Sequence, residues 1–110
     1  MEKKTKTIEW AAGLFEGEGS IYKDKSRPMQ RHISLRMCDL DVLQDYVDIV
    51  GGNITGPYKK RSHPHHKPYY SWIMRKKTEV IRVLYLLSPY LGERRLEKAT
   101  EALNHLTAQL

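Results

Sequence analysis

The sequence predicts an α/β fold of the α+β kind, with elements in the order αββαββα followed by one more helix. Three observations carry this. Residues 30–37 alternate, with Ile33, Leu35 and Met37 on one side and His32, Ser34 and Arg36 on the other, the period of a half-buried strand. Residues 39–50 put Leu40, Leu43, Val47 and Val50 on one helical stripe. A strand–strand–helix pattern also occurs twice within the 110 residues, which hints at a half-repeat. Four strands with helices on one face leave the other face open to a partner.

The elements follow in order. Residues 1–6 are polar and expected to be flexible. Residues 7–17 read as a helix, with Thr7 as its cap and Glu9 in a first turn that favours an anion. Residues 20–25 alternate loosely as a strand, and 26–28 (Ser-Arg-Pro) make a turn. The facing of this first strand is open: Ile21 inward puts Tyr22 and Asp24 outward, yet Lys23 and Lys25 look more like contacts for a polyanion. Asp39 can cap the second helix and Gly51-Gly52 ends it. Residues 53–60 form a short strand broken at Gly56-Pro57, 61–68 a loop, and 69–75 a strand with Tyr70, Trp72 and Met74 opposite Tyr69, Ser71, Ile73 and Arg75. Thr78 caps a third helix that stops before Pro89. Residues 92–110 form the last, with Leu96, Ala99, Leu103, Leu106 and Leu110 on one stripe. Met37, Leu43, Trp10, Tyr70, Trp72 and Tyr85 are expected in the core or an interface. The whole chain, 1–110, reads as a single domain.

Composition narrows the function. Nineteen Lys and Arg against 13 Asp and Glu give a formal charge of +6, which at this size suggests a polyanionic partner. A hydrophobic content of 40% argues against a disordered basic tail. The single cysteine, Cys38, excludes an internal disulfide and a cysteine-rich zinc module. No apolar run is long enough to span a bilayer or to serve as a signal peptide, so no membrane partner is expected and the chain reads as intracellular, acting where its target lies.

The informative stretch is 11–19, Ala-Ala-Gly-Leu-Phe-Glu-Gly-Glu-Gly. Gly13 and Gly17 stand four apart on a helix, where each glycine costs about 1 kcal/mol against alanine. Close packing of a second helix offsets that cost. Glu16 and Glu18 sit at the C-terminal end, where the helix dipole disfavours carboxylates. If two such helices pack side by side, two Glu18 carboxylates come together and need a divalent cation or a raised pKa. Hard oxygen ligands suit Mg²⁺, and an anionic metal site in a basic protein suits phosphodiester hydrolysis.

These nine residues resemble the LAGLIDADG motif, with acids at its sixth and eighth positions and glycine at its ninth, and the αββαββα order is similar to that family's. The resemblance implies a homing-endonuclease-like fold: a four-stranded antiparallel saddle sheet with helices on one face, plus a C-terminal helix. It implies a DNA endonuclease using Mg²⁺ (Mn²⁺ or Ca²⁺ as substitutes), with no small-molecule cofactor. One motif copy implies a homodimer that binds a long, roughly palindromic duplex and cuts both strands. By position, Glu18 with the Gly17 carbonyl matches the metal site, and Glu16 matches a more structural acid. Asp39 matches a residue that positions water. In residues 88–95, Ser-Pro-Tyr-Leu-Gly-Glu-Arg-Arg, Arg94 matches a basic residue near the scissile phosphate, with Arg95 as its rival. The dimer interface is expected at Trp10, Ala11, Ala12, Gly13, Leu14, Glu16 and Gly17. Departures are Ala11 for leucine and Glu for Asp at both acidic positions.

DNA contacts are expected from Tyr22, Lys23, Asp24, Lys25, Arg27, Gln30, His32, Ser34 and Arg36 in the first hairpin. The second hairpin offers Lys59, Arg61, Lys67, Tyr69, Ser71, Ile73 and Arg75. Arg36 and Arg75 are the best candidates to read guanine. His63, His65 and His66 have no cysteine partner and fit a backbone-brushing loop better than zinc. The competing functions are a non-cleaving DNA-binding protein of the same fold, an RNA maturase, and a basic interaction domain whose small-residue helix only dimerises.

Overall fold

The protein is described here by a computed structural model covering residues 1–62 and 65–110. The chain runs α1 (Ile8–Glu18), β1 (Gly19–Lys23), β2 (Arg31–Met37), α2 (Leu40–Val50), β3 (Ile54–Tyr58), β4 (Tyr69–Met74), α3 (Lys77–Leu87) and α4 (Glu93–Thr107). A short 3₁₀ turn, Ser88–Tyr90, joins the last two helices. The four strands make one sheet in the order β1-β2-β4-β3, with every neighbouring pair antiparallel. Two hairpins thus meet at β2 and β4, and β1 and β3 are the edges.

Register separates the two faces. Ile33, Leu35, Trp72 and Met74 point into a core shared with Phe15, Leu43, Tyr46, Val50, Val83, Leu84 and Leu106. Complete burial of each large apolar side chain is worth roughly 1.5–3 kcal/mol, so this one layer carries most of the stability. Trp72 anchors it: its ring meets Tyr46 edge to face at 4.9 Å, and its Nε1–H donates to the Gly51 carbonyl at 2.9 Å. Gly51 and Gly52 end α2 at positive φ, 85° and 96°. A Cβ on Gly52 would come within 2.6 Å of Trp72 Nε1, so glycine is required there both for φ and for space.

Helix ends follow the chemistry of their caps, with exceptions. Thr7 caps α1, its Oγ1 accepting from the Trp10 N–H at 3.2 Å. Asp39 holds the N-cap position of α2, but its carboxylate makes no capping hydrogen bond. Lys76 rather than Thr78 precedes α3, so Thr78 falls inside the first turn and is no cap. Neither α1 nor α2 has a basic residue in its last turn. Distant arginines supply the missing donors: Arg82 donates to the Val50 carbonyl at 2.7 Å, and Arg95 does the same job for α1.

Other expectations are corrected at the margins. β1 stops at Lys23 and β3 at Tyr58, where register shifts past Gly56-Pro57. On α4, Ala99, Leu103 and Leu106 are buried, but Leu96 and the terminal Leu110 are exposed. Tyr85 is 61% exposed and so is not in the core, one of the two places expected for it. The N-terminal residues are not wholly loose, since Lys3 Nζ lies 2.7 Å from Asp45 on α2.

Candidate nucleic-acid interface and acidic helix end

The outer face of α1 is bare backbone. Gly13 and Gly17 are exposed, and a Cβ built on either meets nothing within 4 Å. Trp10 and Leu14 flank them, half-buried. Ala11 and Ala12, expected at a dimer interface, are instead completely buried within their own chain. Their position on the helix explains this: they fall on the same side as Phe15, and small side chains there let α1 sit close on its own core. Glu16 also turns away from the bare face, towards α4.

Glu18 is the last residue of α1 and is exposed. Gly19 pairs with Leu35 across the β1–β2 ladder, so Glu18, just before Gly19, and Asp39, just after β2, lie beyond the same end of the sheet. Asp39 is exposed and its carboxylate is not used as a cap. Arg94 and Arg95 both line a depression at this end, with Gly19, Ser20, Ile21, Tyr22 and Lys98, but Arg94 differs in its bonding. It forms no hydrogen bond or ion pair among the described residues. The two candidate arginines are therefore distinguishable. Arg95 is engaged: its Nε donates to the Glu16 carbonyl at 3.1 Å, Nη1 donates to the Gly19 carbonyl, and Nε lies 3.4 Å from the Glu16 carboxylate. Its guanidinium also stands 5.9 Å from the Phe15 ring centroid.

The donor set suits a hard cation only in part. Arg95 takes the carbonyls of Glu16 and Gly19 and leaves that of Gly17, which has no donor among the described residues. One carboxylate and one carbonyl make half a site, and no group of three acidic, histidine or cysteine ligands gathers among the described residues. Mg²⁺ commonly takes one or two protein carboxylates and fills the rest with water and phosphate. The residues present fit that habit if a second copy and a phosphodiester complete the shell.

The open face of the sheet is set by register. Ser20, Ser34 and Ile73 form one cross-strand row, Arg36, Ser71 and Thr55 another, and Tyr22 pairs with His32. Ser34 and Ser71 are 7% and 4% exposed, and His32 is 5% exposed. These three expected contacts therefore lie sunk in the sheet. His32 meets the Tyr22 ring edge to face at 5.5 Å and shares a hydrogen bond with the Gln30 carboxamide at 3.2 Å. Burial pushes its pKa below the usual histidine value, with nearby Arg75 adding to the effect and Asp24 opposing it. Arg36 and Arg75 are exposed, Ile73 half-exposed, and Tyr22 and Tyr69 border them.

Two further expected contacts are corrected. Lys23 lies on the helix side of β1, opposite Arg31 and beside Glu101, so Tyr22 faces outward in its place. The Asp24 carboxylate is held by the Ser26 N–H at 3.0 Å and the Ser26 hydroxyl at 2.9 Å, and those bonds lower its pKa. Lys25, Arg27, Lys59 and Arg61 are exposed in turns or at strand ends. Lys67 lines a concavity with Arg36, Met37, Cys38, Lys60, His66 and Tyr69. His63 lies outside the described residues. Sequence reasoning missed Gly92, whose backbone N–H donates to Glu16 Oε1. No sequence signal marks that contact, because 76 residues separate the partners.

The fold is thus an α+β domain in which a two-hairpin sheet leaves one face open, with a basic rim and an acidic helix end beside it. No family model matches the chain. Solved structures do. It is similar to the homing endonuclease I-TnaI, with TM-score 0.70 and 15% identity over 96% of this chain and 75% of that one. It is similar to the homing endonuclease I-CvuI in complex with its target in the presence of calcium, with TM-score 0.66, 17% identity and 91% of this chain covered. It is also similar to the LAGLIDADG homing endonuclease I-GzeII in complex with its DNA target, with TM-score 0.66, 15% identity and 94% of this chain covered. The chain spans 65% of the length of I-CvuI and 37% of that of I-GzeII. The fold is that of the LAGLIDADG homing endonucleases. No helix among the described residues is long and apolar enough to cross a membrane.

Proposed function

We propose that the protein is a site-specific DNA endonuclease that works as a homodimer on a long, roughly two-fold symmetric duplex and hydrolyses both strands with a divalent metal. The observation that carries this reading is the exposed Glu18 carboxylate at the end of a helix whose outer face is bare glycine, with Arg94, unpaired among the described residues, lining a depression against the adjacent Gly19. A helix face with no side chains lets a second copy approach closely and bring its Glu18 alongside.

In this reading, Glu18 and the Gly17 carbonyl of each copy would hold Mg²⁺, which when bound would supply Lewis-acid activation of water and charge neutralisation at the phosphodiester. Asp39 orients the attacking water through its uncapped carboxylate. Arg94 faces the phosphate and steadies charge that builds there. No side chain acts as a nucleophile. The exposed Lys and Arg residues supply phosphate contacts, so affinity falls steeply with salt. Arg36, Ile73 and Arg75 read base edges from the open face.

Selection of bound duplexes from a randomised library, in parallel with structured RNAs, tests the partner. A symmetric duplex motif is the expected product. Enrichment of RNA over duplex would contradict the reading and point to a maturase, and duplex binding with no cleavage under any divalent metal would leave a DNA-binding protein of the same fold.

A further inference from the structure

We infer that Arg95 is a positioning residue for the acidic helix end, acting with Gly92 and Glu16 as a clamp that sets Glu18 against Arg94. The inference rests on the endonuclease reading for its consequence and on geometry for its existence. The first turn of α4 grips the last turn of α1 at three points. Arg95 Nε donates to the Glu16 carbonyl at 3.1 Å, Nη1 donates to the Gly19 carbonyl, and the Gly92 N–H donates to Glu16 Oε1. The Glu16 carboxylate closes the loop with Arg95 at 3.4 Å. The two held carbonyls, of residues 16 and 19, bracket Gly17 and Glu18, so the backbone carrying the proposed metal ligands is fixed on both sides. Arg94 stands one peptide bond from the clamping arginine, so the same contact fixes the proposed phosphate-facing cation relative to Glu18.

Glycine at 92 is part of the device. A Cβ there would stand 2.8 Å from Glu16 Oε1 and displace the carboxylate. That atom is the tip of a flexible side chain, so the displacement leaves the fold intact while it opens the clamp. The φ of Gly92, −71°, is ordinary for alanine. Charge strengthens the case. A guanidinium at the C-terminal end of α1 opposes both the helix dipole and the Glu16 carboxylate, which eases the crowding of negative charge around Glu18.

The test compares wild type with Gly92→Ala, Arg95→Gln and Arg95→Lys. Hydrogen exchange of the Gly17–Gly19 amides is measured in the metal-free protein. Calorimetric titration of Ca²⁺ into the protein–duplex complex and the Mg²⁺ concentration for half-maximal cleavage follow. Gly92→Ala and Arg95→Gln are expected to speed exchange at 17–19 but not at Phe15. They are also expected to weaken Ca²⁺ binding and raise the Mg²⁺ requirement about tenfold or more, the usual effect of losing a group that orients a metal ligand. Duplex affinity stays within about twofold of wild type, and Arg95→Lys falls between, since it keeps the charge and one donor. Wild-type exchange and metal dependence in Gly92→Ala would overturn the clamp, even if Arg95→Gln fails to fold. If wild type itself neither binds Ca²⁺ nor cuts, the endonuclease reading fails while the exchange data still decide whether the clamp exists.

Discussion

Arg31 and Glu101 meet at 2.8 Å, with the arginine side chain 4% exposed and the glutamate 56% exposed. The pair ties β2 to α4, and Arg31 also donates to the Pro28 carbonyl at 2.8 Å. The cation is thus sunk under the helix and satisfied from several sides, while its carboxylate partner stays wet. Glu101→Gln is expected to cost no more than about 1 kcal/mol, since half-exposed pairs contribute little and the amide oxygen still accepts. Chemical denaturation measures this directly, and a much larger loss would mean that Arg31 depends on that one charge.

Two groups predict how stability follows pH, in separate windows. The Arg31 hydrogen bond holds the Glu101 carboxyl below its ordinary 4.5. A depressed acid stabilises the fold above its unfolded value, and that contribution is lost as pH falls through the folded one. Burial likewise depresses His32 below 6.5. The fold therefore prefers neutral His32, and this contribution is complete above 6.5 and is lost as pH falls through the lower folded value. Denaturation midpoints should decline below 6.5 and decline again below 4.5. His32→Gln should remove the first fall and Glu101→Gln should lessen the second, to which Asp24, also held below its ordinary value, contributes as well; a midpoint that rises on acidification through 6.5 would contradict the account of His32.

In the proposed dimer, the bare face of α1 would separate folding from association. A side chain at Gly13 meets open space in the single chain. Gly13→Ala should therefore stabilise a monomer by about 0.5–1 kcal/mol through helix propensity. Gly13→Leu should keep the fold yet abolish pairing and duplex binding together. Sedimentation of both variants alongside wild type reads the outcome. A Gly13→Leu protein that remains dimeric would place the interface elsewhere.

Base reading and phosphate gripping should respond differently to substitution. Arg36→Ala and Arg75→Ala are expected to cost about 1–3 kcal/mol of affinity and to relax preference at particular base pairs. Removing Lys25 or Lys59, exposed outside the centre of the sheet, should weaken binding to all sequences alike and reduce the salt dependence by about one ion. Binding profiles over a set of single-base variants at two salt concentrations distinguish them.

How far the sequence disclosed all this depends on the range of each interaction. Alternation in residues 30–37 and the stripe in 39–50 report local periodicity, and β2 and α2 lie where those patterns end. The acidic glycine-rich helix end was equally legible, because its residue types conflict with helix propensity and dipole. Facing failed where alternation was weak: in β1, charge suggested Lys23 for the open face, but register with Arg31 turns it to the helices. Ala11 and Ala12 misled because small residues serve a self-packed core and a close dimer equally well. The choice between Arg94 and Arg95 was invisible, since the Arg95–Glu16 contact spans 79 residues and forms only when the last helix closes on the first. The sinking of Ser34, Ser71 and His32 is likewise a property of four strands assembled together, which no single strand pattern contains.

The central claim is that Glu18, brought together from two copies, makes the metal-dependent cutting site. The most direct measurement incubates wild type and Glu18→Gln with a randomised duplex library in Mg²⁺, and again with the metal chelated, and sequences the new ends. The account predicts paired cuts on both strands within one symmetric motif, lost in Glu18→Gln and on chelation, while Glu18→Gln still captures the same motif. Cuts that persist in Glu18→Gln, or a motif that both proteins capture and neither cuts, would contradict it.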